Sequence, residues 1–286
     1  MRRALALLLF LAATAPAAAD EPVSWTIAVD ISVGPARAAY TAKAWVYSPG
    51  PNYRATLYAV GPYAVAAGLG TAVARFDEII ARDPAAAVFN GGFWDDGPFM
   101  PAGLLLIGGR ATHPFSFQKT DGHDYDLSAV VCLDGKGRLA PLQTQDFVSP
   151  TAQIKSQCSS ALQAGPIVVQ NGANAIRPSE ISDNKAPALR TILGFDSSGT
   201  PYVVIFQTPV HLFVAAAFLQ APTASIGSAR IANARSPGML QVTSGLGLRN
   251  AVNLNGDTSA TCYYKGQRIV GNSAQAMPSA FSLQPK

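Results

Sequence analysis

Residues 251–257 read Ala-Val-Asn-Leu-Asn-Gly-Asp, an apolar run that stops in a polar turn, and residues 87–92 read Ala-Val-Phe-Asn-Gly-Gly in the same manner. Glycine at the end of each run permits close backbone approach, because it carries no Cβ and tolerates unusual dihedrals. Each run follows a stretch with helical spacing. In 71–82 Val73, Phe76, Ile79 and Ile80 share a face, and in 211–220 Leu212, Ala215, Ala216 and Leu219 do. The order helix, buried strand, Gly-rich turn therefore occurs twice. A second echo links Ala102-Gly103-Leu104-Leu105-Leu106-Ile107 to Ala164-Gly165-Pro166-Ile167-Val168-Val169. Such echoes suggest two sides of one cleft, with Asp95 and Asp96 beyond the first turn and Asp257, Thr258 and Ser259 beyond the second. A hairpin corner would account for either turn alone, but less easily for both.

Outward from these runs, short β-branched and aromatic segments dominate. Strands are expected over 25–33, 55–60, 86–93, 103–107, 129–133, 167–170, 202–207, 251–254 and 261–270. Asp134-Gly135, Asn171-Gly172 and Ser198-Gly199 signal hairpin turns between apolar runs. The fold class is α+β: a single domain of mixed or antiparallel sheets, rich in hairpins, with a few flanking helices. No polar linker divides it. The 286 residues are 49% hydrophobic and 13% charged, which excludes a disordered chain, and no Gly period or repeat array is present.

The formal charge of +4 includes Arg2 and Arg3. These open a charged start, an apolar run from Ala4 to Ala15 and the small residues Ala17-Ala18-Ala19, the order of a signal peptide over 1–19 with cleavage before Asp20. The domain then occupies 20–286, and removal of the leader leaves 19 basic and 17 acidic side chains. That balance, with no polybasic run, argues against a nucleic-acid partner. No later stretch reaches ~18 uninterrupted apolar residues, so no integral membrane segment is expected after cleavage. The destination is the periplasm or the exterior, by the general secretory route rather than the twin-arginine one.

Export permits disulfides. Pairing Cys132 with Cys158 would close a loop of 27 residues and leave Cys262, in a Thr-Cys-Tyr-Tyr run, as a buried free thiol. His113, His123 and His211 show no HExxH spacing and no close ligand pairing, so a histidine metal site is not expected; no cofactor is expected either, and the sequence leaves a bound metal of another kind open.

Five ordered motifs carry a resemblance. Asn90-Gly91-Gly92-Phe93-Trp94-Asp95, Pro101-Ala102-Gly103-Leu104, Ala164-Gly165-Pro166, Arg190-Thr191-Ile192-Leu193-Gly194-Phe195-Asp196 and Asn253-Leu254-Asn255-Gly256-Asp257-Thr258-Ser259 resemble those of the phosphodiester glycosidase family. The resemblance spans about residues 25–270. It implies an exported hydrolase acting on a sugar-1-phosphodiester or a related envelope or exopolysaccharide glycan. One departure stands out: the family's Leu-Asp-Gly-Gly reads Leu254-Asn255-Gly256-Asp257 here. Asparagine cannot serve as a general acid or carboxylate nucleophile. Either Asp257 supplies the carboxylate, or hydrolysis has been lost and a glycan-binding or polysaccharide-assembly protein remains. Segment 221–249 also reads as an insertion before this motif.

Cleavage of a sugar from a phosphodiester calls for a cation on the phosphate and carboxylates around the anomeric carbon. Arg190, preceding an apolar strand, is the phosphate candidate, with an ordinary structural ion pair as its alternative role. Asp257 and Asp95 form the candidate catalytic pair, with Glu180 and Asp183 as outsiders. Asn90, Gly91, Gly92, Gly165, Asn255, Gly256, Thr258 and Ser259 complete the expected binding set. The sequence leaves the oligomeric state and the sugar open.

Overall fold

The computed structural model describes residues 21–33, 36–94, 100–116, 127–143, 150–176, 187–220, 229–233, 236–242, 245–274 and 277–286. Strands β1 (Val23–Val33), β2 (Ala36–Tyr47), β14 (Pro201–Val210), β13 (Ala188–Phe195), β17 (Asn250–Asn253), β11 (Ile167–Gln170) and β12 (Ala173–Asn174) form a seven-stranded sheet in that order, antiparallel throughout. A five-stranded sheet runs β7 (Arg110–His113), β6 (Leu105–Ile107), β10 (Ser160–Ala164), β8 (Ala129–Leu133), β9 (Leu139–Gln143). The third sheet has six strands: β19 (Gln267–Val270), β18 (Cys262–Tyr264), β5 (Ala87–Asn90), β20 (Ser279–Pro285), β3 (Tyr53–Val60) and β4 (Ala72–Val73). Only the β3–β4 pair among these neighbours is parallel.

The inner faces of the three sheets share one core. Tyr47, Leu193, Phe195 and Val252 come from the first sheet, Leu105, Val131 and Leu162 from the second, and Leu57, Phe89 and Phe281 from the third. Three helices cover outer faces. Helix α4 (Leu212–Gln220) buries Phe213 to Leu219 against Ile192, Val204 and Phe206 of the seven-stranded sheet. Helix α2 (Phe76–Arg82) sets Phe76 and Ile79 against Tyr58 and Val88, and α3 (Pro150–Gln157) sets Ile154 against Val130 and Ala161. A short helix, α1 (Pro62–Ala66), links β3 to β4. Strands covered on both faces read as continuous apolar runs rather than alternations. All five residues of β8, Ala-Val-Val-Cys-Leu, are buried.

Helix 71–82 is the main correction to the expected elements. Its first residues form β4, because Ala72 and Val73 pair with Ala59 and Val60. The helix starts only at Phe76, after the Arg75 amide donates to Glu78 Oε1 at 3.2 Å. The run 261–270 is not one strand but the hairpin β18–β19, turning through Lys265 and Gly266 at φ of 48° and 74°. Arg190 lies inside β13 rather than before a strand. Within 221–249, β15 (Ala229–Asn233) and β16 (Ser236–Val242) pair as a separate hairpin, and β16 lies beside β1. The Cys132–Cys158 disulfide joins β8 to the end of α3, and Cys262 is free and buried.

Candidate active site

The two glycine-ended strands of the sequence lie in different sheets, β5 in the six-stranded and β17 in the seven-stranded one, and their turns meet. The Asn255 amide donates to Gly91 O at 3.1 Å. Asn90, 1% exposed at the end of β5, fastens the junction. Its Nδ2 donates to Asn255 O at 2.6 Å and Gly91 O at 3.3 Å, while its Oδ1 accepts from Thr191 Oγ1 at 2.7 Å and the Thr261 amide at 3.1 Å. A primary amide offers two donors and two acceptor lone pairs, so Asn90 is fully engaged within the protein and acts as a positioning group. Gly91 is held by its amide on Ser279 O at 2.9 Å, and the Gly92 amide donates to Ser279 Oγ at 3.2 Å. A Cβ on Gly92 would sit 3.0 Å from both Gln163 O and Leu162 Cδ1, so close packing, not a left-handed dihedral, selects glycine there.

The second turn leans on β13. Ile192 pairs with Asn253 and the Leu254 amide donates to Thr191 O at 2.9 Å. Continuing that register two residues outward brings Asn255 opposite Arg190. Gly256 packs against the Leu189 carbonyl, and a Cβ on it would be 3.5 Å from Arg190 Cα. The Gly256 amide donates to Asn255 Oδ1 at 2.9 Å. Asp257 then opens a single 3-10 turn, Asp257–Ser259, with φ of 51°. That is the left-handed region, which favours glycine and admits Asp among few others. Asp257 and Thr258 are exposed, whereas Ser259 is buried and its Oγ accepts from Trp94 Nε1 at 3.2 Å.

Arg190 is half-buried, and its Nε donates to Val210 O at 3.4 Å at the end of β14. The next residue, His211, precedes α4 and is also half-buried. Burial, and then the positive charge of Arg190, hold its imidazole below the ordinary histidine range. Gly165 sits on the passage from β10 to β11, in a cis bond to Pro166. Its amide donates to Asn253 O at 3.0 Å, and its carbonyl accepts from Asn253 Nδ2 at 3.3 Å.

The described structure thus gathers Asn90, Gly91, Gly92, Gly165, Arg190, Asn255, Gly256, Asp257, Thr258 and Ser259 around the ends of β5, β10, β14 and β17 and the start of β13. Asp95, Glu180 and Asp183 lie outside the described residues. Reading the sequence missed Thr191, Asn253, Gln163, Trp94 and His211. Gln163 is 1% exposed, and its Oε1 accepts from the Leu104 and Ser116 amides, each at 3.0 Å. Nothing in an isolated glutamine signals this, although Thr191 and Trp94 stand inside the quoted motifs. Among the described residues no group of three or more His, Cys, Asp and Glu could hold a metal ion, and no helix is long and apolar enough to cross a membrane. A cavity of about 350 Å³ lined by Arg54, Thr71, Lys136 and Ser159 lies at the other end of β3 and β10, away from these groups.

Comparison with known proteins agrees with this fold. The structure resembles the catalytic domain of zebrafish N-acetylglucosamine-1-phosphodiester alpha-N-acetylglucosaminidase, auto-inhibited by its pro-peptide, with a TM-score of 0.56 and 13% identity over 96% of this chain and 85% of that one. A hypothetical protein from Synechocystis is similar at a TM-score of 0.50 and 13% identity, over 90% of this chain and 61% of that one. No curated protein matches the sequence. At such identities the two likenesses concern the fold. The sequence itself goes further, since the phosphodiester glycosidase model matches residues 83–282, the segment that runs from β5 into β20 and holds every group gathered above: the chain belongs to the phosphodiester glycosidase family.

Proposed function

We propose that the protein is an exported hydrolase that cleaves a sugar-1-phosphodiester or a related envelope or exopolysaccharide glycan. The observation that carries this reading is the packing of Gly256 on the backbone of Leu189 and Arg190. It sets the backbone of Arg190, whose guanidinium is suited to two phosphate oxygens, beside the polar turn where the family has its acidic motif. In this reading Arg190 binds the phosphate. Asp257 supplies the carboxylate that Asn255 lacks, with Asp95 as the second acid. Thr258 and the backbone of the glycine turns contact the sugar. The phosphate departs as a good leaving group, so carboxylate chemistry serves chiefly the attack at the anomeric carbon.

Turnover of a panel of sugar-1-phosphodiesters tests the assignment. Arg190→Lys should impair it substantially, and Asp257→Asn should cost ~10² to 10⁴-fold, the usual loss for a general acid or base. Inertness of the wild type, of Asp257→Asn and of Asn255→Asp alike, with glycan binding retained, would instead establish a binding protein. That second reading draws support from the exposure of Asp257 and the asparagine at position 255. Export is tested by N-terminal sequencing of protein recovered outside the cytoplasm, which should begin near Asp20. A chain retaining Met1 there would refute the leader.

A further inference from the structure

We propose that the cavity of about 350 Å³ between β3, the β8–β9 turn and the start of β10 is a second ligand site, built for one acidic saccharide unit, a uronate or a sugar phosphate. It shares no residue with the turns around Arg190 and Gly256, so it stands whether or not those turns cleave a phosphodiester.

The cavity is an opening in a sheet edge. One side of β3 is covered by β20. On the other side the Ala55 amide donates to Gly137 O at 2.9 Å and the Ala59 amide to Thr71 O at 3.1 Å, while Leu57 O accepts from Thr71 Oγ1 at 2.6 Å. Backbone groups alternate sides along a strand, so Leu57, midway between Ala55 and Ala59, turns its amide to that same side. The β8–β9 turn reaches only Ala55, and β4 joins only from Ala59 onward. Leu57 is buried and lines the cavity, and its amide has no acceptor among the described residues. A main-chain donor in that position calls for an oxygen acceptor from a ligand.

Charge and shape narrow the ligand. Arg54 and Lys136 stand exposed on the wall, and neither side chain has a hydrogen bond or ion pair among the described residues. Asp134 is the carboxylate side chain of the lining, and it is turned onto its own hairpin, where Oδ1 accepts from the Lys136 and Arg138 amides, each at 2.8 Å. Lys286, the last residue of the sequence, adds an ammonium and a main-chain carboxylate that offset each other. A positive excess is left for an anion. The half-buried Thr56 hydroxyl has no partner among the described residues and adds a donor, whereas Ser159 Oγ, which donates to Leu133 O and Asp134 O at 2.9 Å each, can only accept. Donors and acceptors side by side suit sugar hydroxyls. The volume is at the low end for small-molecule sites and exceeds what a bare oxyanion fills. No aromatic side chain is among the described lining residues, so nothing stacks a nucleobase.

Glucuronate and glucose 6-phosphate are the probes, with glucose and inorganic sulfate as controls, each titrated into the whole protein and followed by calorimetry and by NMR of the backbone amides. At least one acidic sugar should bind with a Kd of about 1 mM or tighter, as expected for a well-seated ligand of this size, and a difference between the two tells carboxylate from phosphate. Binding should move the Leu57 amide resonance of the wild type, a reading that no folding defect in a variant can disturb. Arg54→Gln combined with Lys136→Gln changes exposed side chains only, and should weaken binding about tenfold or more. A Leu57 amide unmoved by either acidic sugar at roughly ten times that concentration would overturn the site. So would glucose binding as tightly as the acids, or an affinity unchanged in the double variant. Sulfate binding as tightly as either acidic sugar would leave an ion site only, and would overturn the saccharide assignment. Turnover has no part in these readings, so a protein inert toward sugar-1-phosphodiesters sinks the hydrolase alone, and failure of the titrations sinks this site alone.

Discussion

Asn90 and Asp257 mark the difference between a residue that builds the site and one free to act in it. Asn90 answers Thr191, Thr261, Gly91 and Asn255 at once. Truncation to Ala strands buried partners on both sheets, and each unsatisfied buried group costs ~1 to 3 kcal/mol. Asn90→Ala should therefore lose about 3 kcal/mol or more in urea unfolding, a loss of less than about 1 kcal/mol being incompatible with this network. Asp257 behaves in the opposite way. At φ of 51° it holds a left-handed backbone that glycine adopts freely, at the position where the motif it resembles has glycine or another small residue. Asp257→Gly should leave stability within about 1 kcal/mol of the wild type, whereas Asp257→Val, with a β-branched side chain at positive φ, should destabilise by more. Since Asp257→Gly removes the carboxylate without disturbing the turn, retention of full turnover in that variant would show the carboxylate to be dispensable.

At the level of elements, the disulfide is the clearest case of a sequence feature with a structural consequence. It ties β8 to the residue after α3 and so holds that helix over the outer face of the five-stranded sheet, where Ile154 meets Val130 and Ala161. Closing a loop of this length contributes about 3 to 4 kcal/mol in the chain-entropy model. Reduction should lower the unfolding free energy by about that amount, and labelling of unfolded, unreduced protein should modify Cys262 alone. In the native state Cys262 should resist thiol reagents, because complete burial pushes its pKa far up and leaves almost no thiolate. Elements with strong apolar runs were legible, β8 and β11 among them. The Asn171-Gly172 turn was too, since both residues adopt positive φ, 52° and 79°, as the hairpin signal requires. β10 and β20 were not. Ser160-Ala161-Leu162-Gln163-Ala164 and Ser279-Ala280-Phe281-Ser282-Leu283-Gln284-Pro285 mix polar residues into buried strands, and those residues are accommodated by contacts from far along the chain, as Gln163 is by Leu104 and Ser116. In the site, Arg190 and the two glycine turns were legible because they lie in motifs. The slip of strand register between Arg190 and Ala188 was not, because no local pattern encodes it.

Across the whole molecule, tyrosines impose a common pH dependence. Tyr58 on β3 is 6% exposed and donates to Asp83 Oδ2 at 2.9 Å, pinning the end of α2 to the six-stranded sheet. Burial, and then the negative charge of Asp83, push its pKa up to about 12. Burial also raises Tyr53 and Tyr63 near the same sheet and Tyr202 on β14. Each is a neutral acid whose folded pKa lies above its unfolded value near 10. Below about pH 10 both states are protonated and the contribution is whole; as pH rises from there through the folded values, the unfolded chain ionises first and stability falls. For Tyr58 the shift of about two units corresponds to at most about 2 to 3 kcal/mol. Urea unfolding at several pH values should therefore be nearly level between about pH 7 and 9 with respect to these groups and decline above about pH 10. Tyr58→Phe should cost about 1 kcal/mol at neutral pH, by losing the hydrogen bond to Asp83, and should blunt the alkaline decline. An alkaline slope identical in wild type and Tyr58→Phe would mean that the hydroxyl is not buried against Asp83 in solution, and that α2 is held to the sheet by its apolar residues, Phe76, Ile79 and Ile80 among them.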